Sequence, residues 1–224
     1  NGHMDAARVL LEAGANVNKD DDDGVSPLLL AALGGDLDML RLLIDSGADV
    51  SAPSSDGTTL LHAAAYGGHV DSCALLLENG ADVAALLPVD LHTPLHSAAF
   101  GGHVDVCTLL LRSGADVAAQ CAEGNTPLHL AIGGEGDAVE PLCRVLISAG
   151  APLDTLNVEG GTPGHWAMRN GLFDVVQLLA DATAAQSAED GGGAVAPAQS
   201  PPTRMVEVVA DGGVERSPQD REPE

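Results

Sequence analysis

Aromatic residues are nearly absent from this chain: one Trp, one Tyr and two Phe among 224 residues, or 2% of the composition. A sheet core organised around aromatic rings is therefore not expected, and any core must come from small and aliphatic side chains in close contact. Basic residues are scarce as well, 9 Lys and Arg against 33 Asp and Glu, which leaves a formal net charge of −24. That charge repels phosphate backbones and anionic lipid, so nucleic acid and membrane surfaces are not expected as partners. No apolar run approaches the ~18 residues that a membrane-spanning helix needs, and no charged segment leads into an apolar one as a secretory signal would. Four cysteines in a chain of this length do not make a disulfide framework, which points to a reducing, intracellular and cytoplasmic setting.

What the chain does have is 45% hydrophobic residues, 27 glycines and a beat. Gly-Ala recurs at Gly14, Gly47, Gly80, Gly114 and Gly150, spacings of 33, 33, 34 and 36 residues. A second marker keeps the same step: SPLL at Ser26, TLLH at Thr59, TPLH at Thr93 and Thr126, and TPGH at Thr162. Two independent markers in register over five cycles identify an internal repeat. Within each unit a hydroxyl N-cap and a Pro at the first helical position start a helix. Gly-Gly or Asn-Gly stops it, and a second apolar helix such as VDVCTLLL, Val104 to Leu111, follows and ends at Ser113-Gly114. A short polar segment with a turn Gly then forms a hairpin-like finger. Helices of about nine residues are marginal alone, so the units must bury one another's apolar faces in a solenoid.

With a 33-residue period and TPLHxAAxxGHxxxxxLLLxxGAD, the chain resembles the ankyrin repeat family over roughly residues 1–180. The resemblance implies an all-α solenoid of helix-turn-helix units with β-hairpin-like fingers. A half unit at 1–19 precedes complete units at 20–52, 53–85, 86–119, 120–155 and 156–180, here called the second to sixth. The half unit lacks its first helix, which is expected to mean that the array continues upstream. Residues 181–224, acidic and rich in Gly, Pro and Ser, are expected to be a disordered tail.

The segment TPLHSAAFGGHVDVC, with His92 just before it, looks like a metal site, because His92/His96 and His103/Cys107 are each four residues apart. One repeat earlier the same trio stands as His62, His69 and Cys73, so the repeat rather than a metal places it. The resemblance implies that the first His column, His62, His96, His129 and His165, hydrogen-bonds backbone within and between units. The second, His69 and His103, alternates with Asp36 and is expected to cap a helix start. The Cys column reads Ala7, Leu40, Cys73, Cys107, Cys143 and Val176, a small apolar core position. His92 and Cys121 fall outside these columns, and Cys121 is expected at the finger surface. KDDDDG, Lys19 to Gly24, fails as a calcium loop, since its first and twelfth positions are Lys19 and Leu30. No nucleophile elbow, phosphate loop or unexplained carboxylate pair is present, so neither catalytic residues nor a cofactor or metal site is expected.

Function is then expected at positions the repeat leaves free. Six residues after the Pro position stand Leu33, Tyr66, Phe100, Gly133 and Arg169, which the resemblance places toward a concave face. The finger tips carry Asp22, Asp23, Asp56, Val89, Asp90, Glu123 and Glu159. The fourth unit's finger, LLPVDLH, has one extra residue and Leu91 where the turn Gly belongs, which puts Leu86, Leu87, Leu91 and His92 in the candidate set. The partner is expected to be another protein with basic and apolar surface, bound by a monomeric scaffold or adaptor without catalysis. The alternative is a targeting or regulatory segment of a larger protein such as a kinase, a ubiquitin-ligase subunit or a channel.

Overall fold

The computed structural model describes residues 2–134 and 136–190. Eleven helices occur among them, with no strand: α1 (Gly2–Glu12), α2 (Pro27–Gly34), α3 (Leu37–Asp45), α4 (Leu60–Tyr66), α5 (Val70–Glu78), α6 (Pro94–Phe100), α7 (Val104–Arg112), α8 (Pro127–Gly133), α9 (Val139–Ser148), α10 (Pro163–Arg169) and α11 (Phe173–Asp190). α2, α4, α6, α8 and α10 stack in one layer and the odd-numbered helices in another; from α2 onward each helix touches its partner in the unit and its counterparts in adjacent units, and α1 packs on α3. Contacts of this kind make stability a sum of unit and neighbour terms.

The first layer is small-residue packing of the kind the composition allows. Ala32, Ala64, Ala65, Ala98 and Ala99 have no exposed surface, and Leu60, Leu61, Leu95 and Leu128 fill the space between. Cys73, Cys107 and Cys143 are fully buried beside Leu40, Leu76, Leu110 and Leu146, and burial pushes each of these thiols up to about 12. They are inert core side chains.

The first His column ties the units together. His96 Nδ1 accepts from the Thr93 N–H, while its Nε2–H donates to the Asn125 carbonyl in the next finger at 3.1 Å. His62 reaches the His92 carbonyl and His129 the Gly161 carbonyl in the same way. His165, in the sixth unit, is exposed. The second His column departs from the expectation. His69 and His103 do stand at the N-cap positions of α5 and α7, but neither side chain caps; only Asp36 does, accepting from Met39 N–H. Instead their Nε2–H groups donate to the Leu33 and Tyr66 carbonyls of the preceding unit, at 3.0 and 2.8 Å. The imidazole brings an N–H to an orphan helix-end carbonyl, which an ionised carboxylate, an acceptor only, cannot do.

A Cβ at Gly35 or Gly68 would strike those same rings, and one at Gly102 would fall on the backbone of Gly136. In the fifth unit the inserted glycine thus occupies the space a His ring takes elsewhere. With φ +76 at Gly102 and no room beside it, Gly102→Ala is expected to cost roughly 2 kcal/mol or more. Gly114→Ala, at φ +94 with open space around it, is expected to cost only about 1 kcal/mol. Guanidinium unfolding of both variants checks the difference.

At the C-terminal end α11 runs on to Asp190, past the boundary expected at 180, because ATAAQSAED keeps good helix formers in sequence. The rest of the expected tail, 191–224, lies outside the described residues. None of the described helices is long and apolar enough to cross a membrane.

Candidate functional site

The fingers are tight turns rather than strands. Asp21, Ser54, Cys121 and Asn157 each donate their N–H to the carbonyl four residues on. In three of these turns the side chain at the first position also bonds the backbone at the turn's end: Asp21 accepts from Val25 N–H, Ser54 donates to the Thr58 carbonyl, and Asn157 accepts from Gly161 N–H. The fourth unit's finger closes across five residues, Leu87 N–H to the His92 carbonyl. It is also the site of the single non-glycine residue with positive φ among those described, Leu91 at +57°. The extra residue thus lengthens the turn and forces a leucine into the left-handed region, at a cost of about 1–2 kcal/mol.

Between the first helix layer and the fingers runs a groove of about 570 Å³ that spans the second, third and fourth units. Leu33, Tyr66 and Phe100 line it, with Asp23 and Asp56 on the finger side and Leu87 and His92 closing its far end. Leu33 and Tyr66 are 48% and 47% exposed, large apolar surfaces left open to solvent. The rings of Tyr66 and Phe100 stack at 6.5 Å with 17° between planes, and Phe100 is half-buried against the core. Ser97, at the floor, and Ala63 are small, which gives the groove its depth.

Asp56 is committed locally: hydrogen bonds from the Ser54 hydroxyl, then from Thr58, hold its carboxyl below the usual range. Asp22 is exposed at the second unit's tip, outside the groove. Leu86, Val89 and Leu91 are exposed at the tip of the fourth finger, with Val89 88% accessible, whereas Leu87 is half-buried. Arg169 does not join the stripe. It lies over the Trp166 ring at 5.4 Å and pairs with Glu159 at 4.0 Å, so both belong to a separate cluster in the sixth unit. The reason is Gly133, whose missing side chain leaves space that the Trp166 ring fills, ending the stripe after Phe100.

A second cluster forms at the junction of the fourth and fifth fingers. Cys121 is 5% exposed, which corrects the expectation of a surface thiol, and its Sγ–H donates to Glu123 Oε2 at 3.1 Å. Burial first, and that carboxylate second, push the thiol up. His92 Nδ1 stands 3.4 Å from Asp90 Oδ2, and its ring lies parallel to that of His96 at 5.4 Å. The donor atoms of His92, Cys121 and Glu123 all fall within 4.8 Å of one another. His92, Asp90 and Glu123 are among the expected partner residues, and Cys121 falls outside the repeat columns. The signal that they belong together was that two of them, His92 and Cys121, fit no repeat column.

Against known proteins, the family model described as "Ankyrin repeats (3 copies)" matches residues 1–86, 54–121 and 95–190. No curated protein matches the chain.

Proposed function

Because the chain belongs to the ankyrin repeat family, whose members are generally protein-interaction modules, we propose that it is a scaffold or adaptor that binds a protein segment in the groove along Leu33, Tyr66 and Phe100. The observation that carries this reading is the pairing of open apolar surface with carboxylates: Leu33 and Tyr66 lie half exposed beneath Asp23 and Asp56 on one groove wall. Stacked rings supply contact area at low entropic cost, and such residues dominate binding where they are desolvated. The net charge of −24 selects against acidic partners and speeds encounter with basic ones. The ligand is therefore a segment in which Leu, Ile or Phe side chains alternate with Lys or Arg. The exposed tip of the fourth finger, Leu86, Val89 and Leu91, extends the contact beyond the groove, and the module performs no catalysis itself.

The test is a comparison of Tyr66→Ala and of Tyr66→Ala/Phe100→Ala with the parent chain, using synthetic peptides of that pattern and their acidic counterparts. Each truncation is expected to weaken binding of the basic, apolar peptides by at least about tenfold, and raising salt from low to molar is expected to weaken it further. Tyr66, nearly half exposed, can be truncated without unfolding the chain, so its variant stands even if Phe100→Ala destabilises the core. Equal affinity for acidic peptides, or unchanged binding by the Tyr66 variant, would rule out this groove as the site.

A further inference from the structure

We propose that His92, Cys121 and Glu123 form a binding site for a divalent cation of the zinc class at the seam between the fourth and fifth fingers. Three chemically different donors converge there, within 4.8 Å of one another, and they come from two fingers held in place by bonds to their backbone. Ala122 N–H donates to the Asp90 carbonyl across the seam at 2.7 Å, Cys121 N–H closes its own turn on Asn125, and the His92 carbonyl is held by His62 Nε2. None of these restraints uses a side-chain donor that the metal would need.

Asp90 Oδ2 lies 3.4 Å from His92 Nδ1, and the ring of His96 stacks parallel to the imidazole at 5.4 Å. A carboxylate beside the far nitrogen of a ligating His is the common outer partner of metal-bound imidazole, so Asp90 is placed to serve Nδ1 when Nε2 takes the ion. The thiol is sheltered at 5% exposure, while Glu123, its hydrogen-bond acceptor, is exposed, so the site has both a dry sulfur and a route in from solvent.

Distances are close to what a tetrahedral ion demands. Bonds of about 2.0–2.3 Å place neighbouring donors roughly 3.5 Å apart. Sγ of Cys121 and Oε2 of Glu123 stand at 3.1 Å, and the remaining separations of up to 4.8 Å close by about 1 Å through rotation of the Glu123 and His92 side chains. One sulfur, one nitrogen and one oxygen suit zinc or cobalt; calcium and magnesium take all-oxygen shells of six or more. Three protein ligands leave the fourth corner to water or to a side chain of a bound partner, and His92 also lines the groove.

The site is also where the chain breaks its own repeat. At the first position of the finger turn Asp21, Ser54 and Asn157 bond within their turns. Those bonds are to turn backbone, whereas Cys121 bonds the side chain of Glu123 within its own turn, so the side chain at this position does not help close the turn's backbone. His92 is the residue that the lengthened fourth finger delivers there.

The experiment is a titration of the full 224-residue chain, reduced and stripped with chelator, with cobalt(II) alone and then with zinc(II). One equivalent of cobalt is expected to bind and to give the intense near-ultraviolet charge-transfer band of a thiolate ligand, and one equivalent of zinc to bleach it. Cys121→Ser is expected to abolish the band. His92→Gln and Glu123→Gln are each expected to weaken cobalt binding at least tenfold, with a Glu12→Gln/Glu78→Gln variant, at exposed carboxylates outside both sites, unchanged. Glu123 is exposed at the tip, so its variant folds whatever Cys121→Ser does to the seam. Absence of a charge-transfer band, or a band that survives Cys121→Ser, or equal affinity after Glu123→Gln, overturns the proposal.

Discussion

His96→Ala is expected to destabilise the protein by about 4 kcal/mol, several times the cost of the same change at His103. His96 has no exposed surface and serves three groups at once: the Thr93 N–H, the Thr93 hydroxyl and the Asn125 carbonyl of the next unit. Truncation leaves the buried Thr93 N–H without a partner and strips the Asn125 carbonyl of its inter-unit bond, leaving it only the turn bond from Cys121 N–H. The orphaned N–H costs about 1–3 kcal/mol, and the lost inter-unit bond and the cavity left by the ring add to it. His103 is half-buried and makes one side-chain bond, to the Tyr66 carbonyl, which water can replace, so about 1 kcal/mol is expected there. Because the lost bond to Asn125 joins the fourth unit to the fifth, the His96 variant is also expected to unfold in two steps. Urea denaturation followed by circular dichroism reads both effects; equal losses at the two histidines would show that solvent, not the inter-unit bond, decides the cost.

Acid is expected to unfold the protein well before its carboxylates protonate. Burial pushes His62, His96 and His129 below the ordinary imidazole range, His96 to about 4. One hydrogen bond acts in the same sense for His96, since a protonated Nδ1 would face the Thr93 N–H, donor against donor; the bond to the Asn125 carbonyl favours the protonated ring, but burial outweighs it. A folded-state pKa below that of the unfolded chain means that the unfolded state binds more protons between the two values. Stability is thus fully present above about pH 6.5 and falls as pH is lowered toward 4. His96 alone accounts for on the order of 3 kcal/mol of that loss, and His62 and His129 act in the same direction. Relief of the −24 charge on acidification opposes the trend but is spread over exposed, screened groups. Unfolding midpoints with chelator present at pH 7.5, 6, 5 and 4.5 test this; a flat profile between 7.5 and 5 would contradict it. In His96→Asn the profile is expected to be shallower from a lower starting stability.

How far the architecture could be read depended on whether a residue answered to its own repeat or to its neighbour. Thr93, His96 and Cys107 recur at fixed spacing because each serves the same cap, bond or core position in every unit, and periodicity exposes that. His69 and His103 recur too, but their partners are the Leu33 and Tyr66 carbonyls one unit back, so spacing alone suggested a local cap. Arg169 kept the column's register and still left the stripe, since the absence of a side chain at Gly133 admitted Trp166. The end of α11 eluded composition because polar helix formers read alike in a helix and in a tail.

By itself, then, the sequence determined the repeat, the helix pairs, the small-residue core and the acidic surface, all consequences of local propensity and period. Only tertiary stacking decided that Leu33, Tyr66 and Phe100 share one groove, and that Cys121 is buried against Glu123 and His92 rather than exposed. Those outcomes depend on distances between units, set by how a lengthened turn at Leu87–His92 meets the next finger, and a distance between units is not written in the spacing within one.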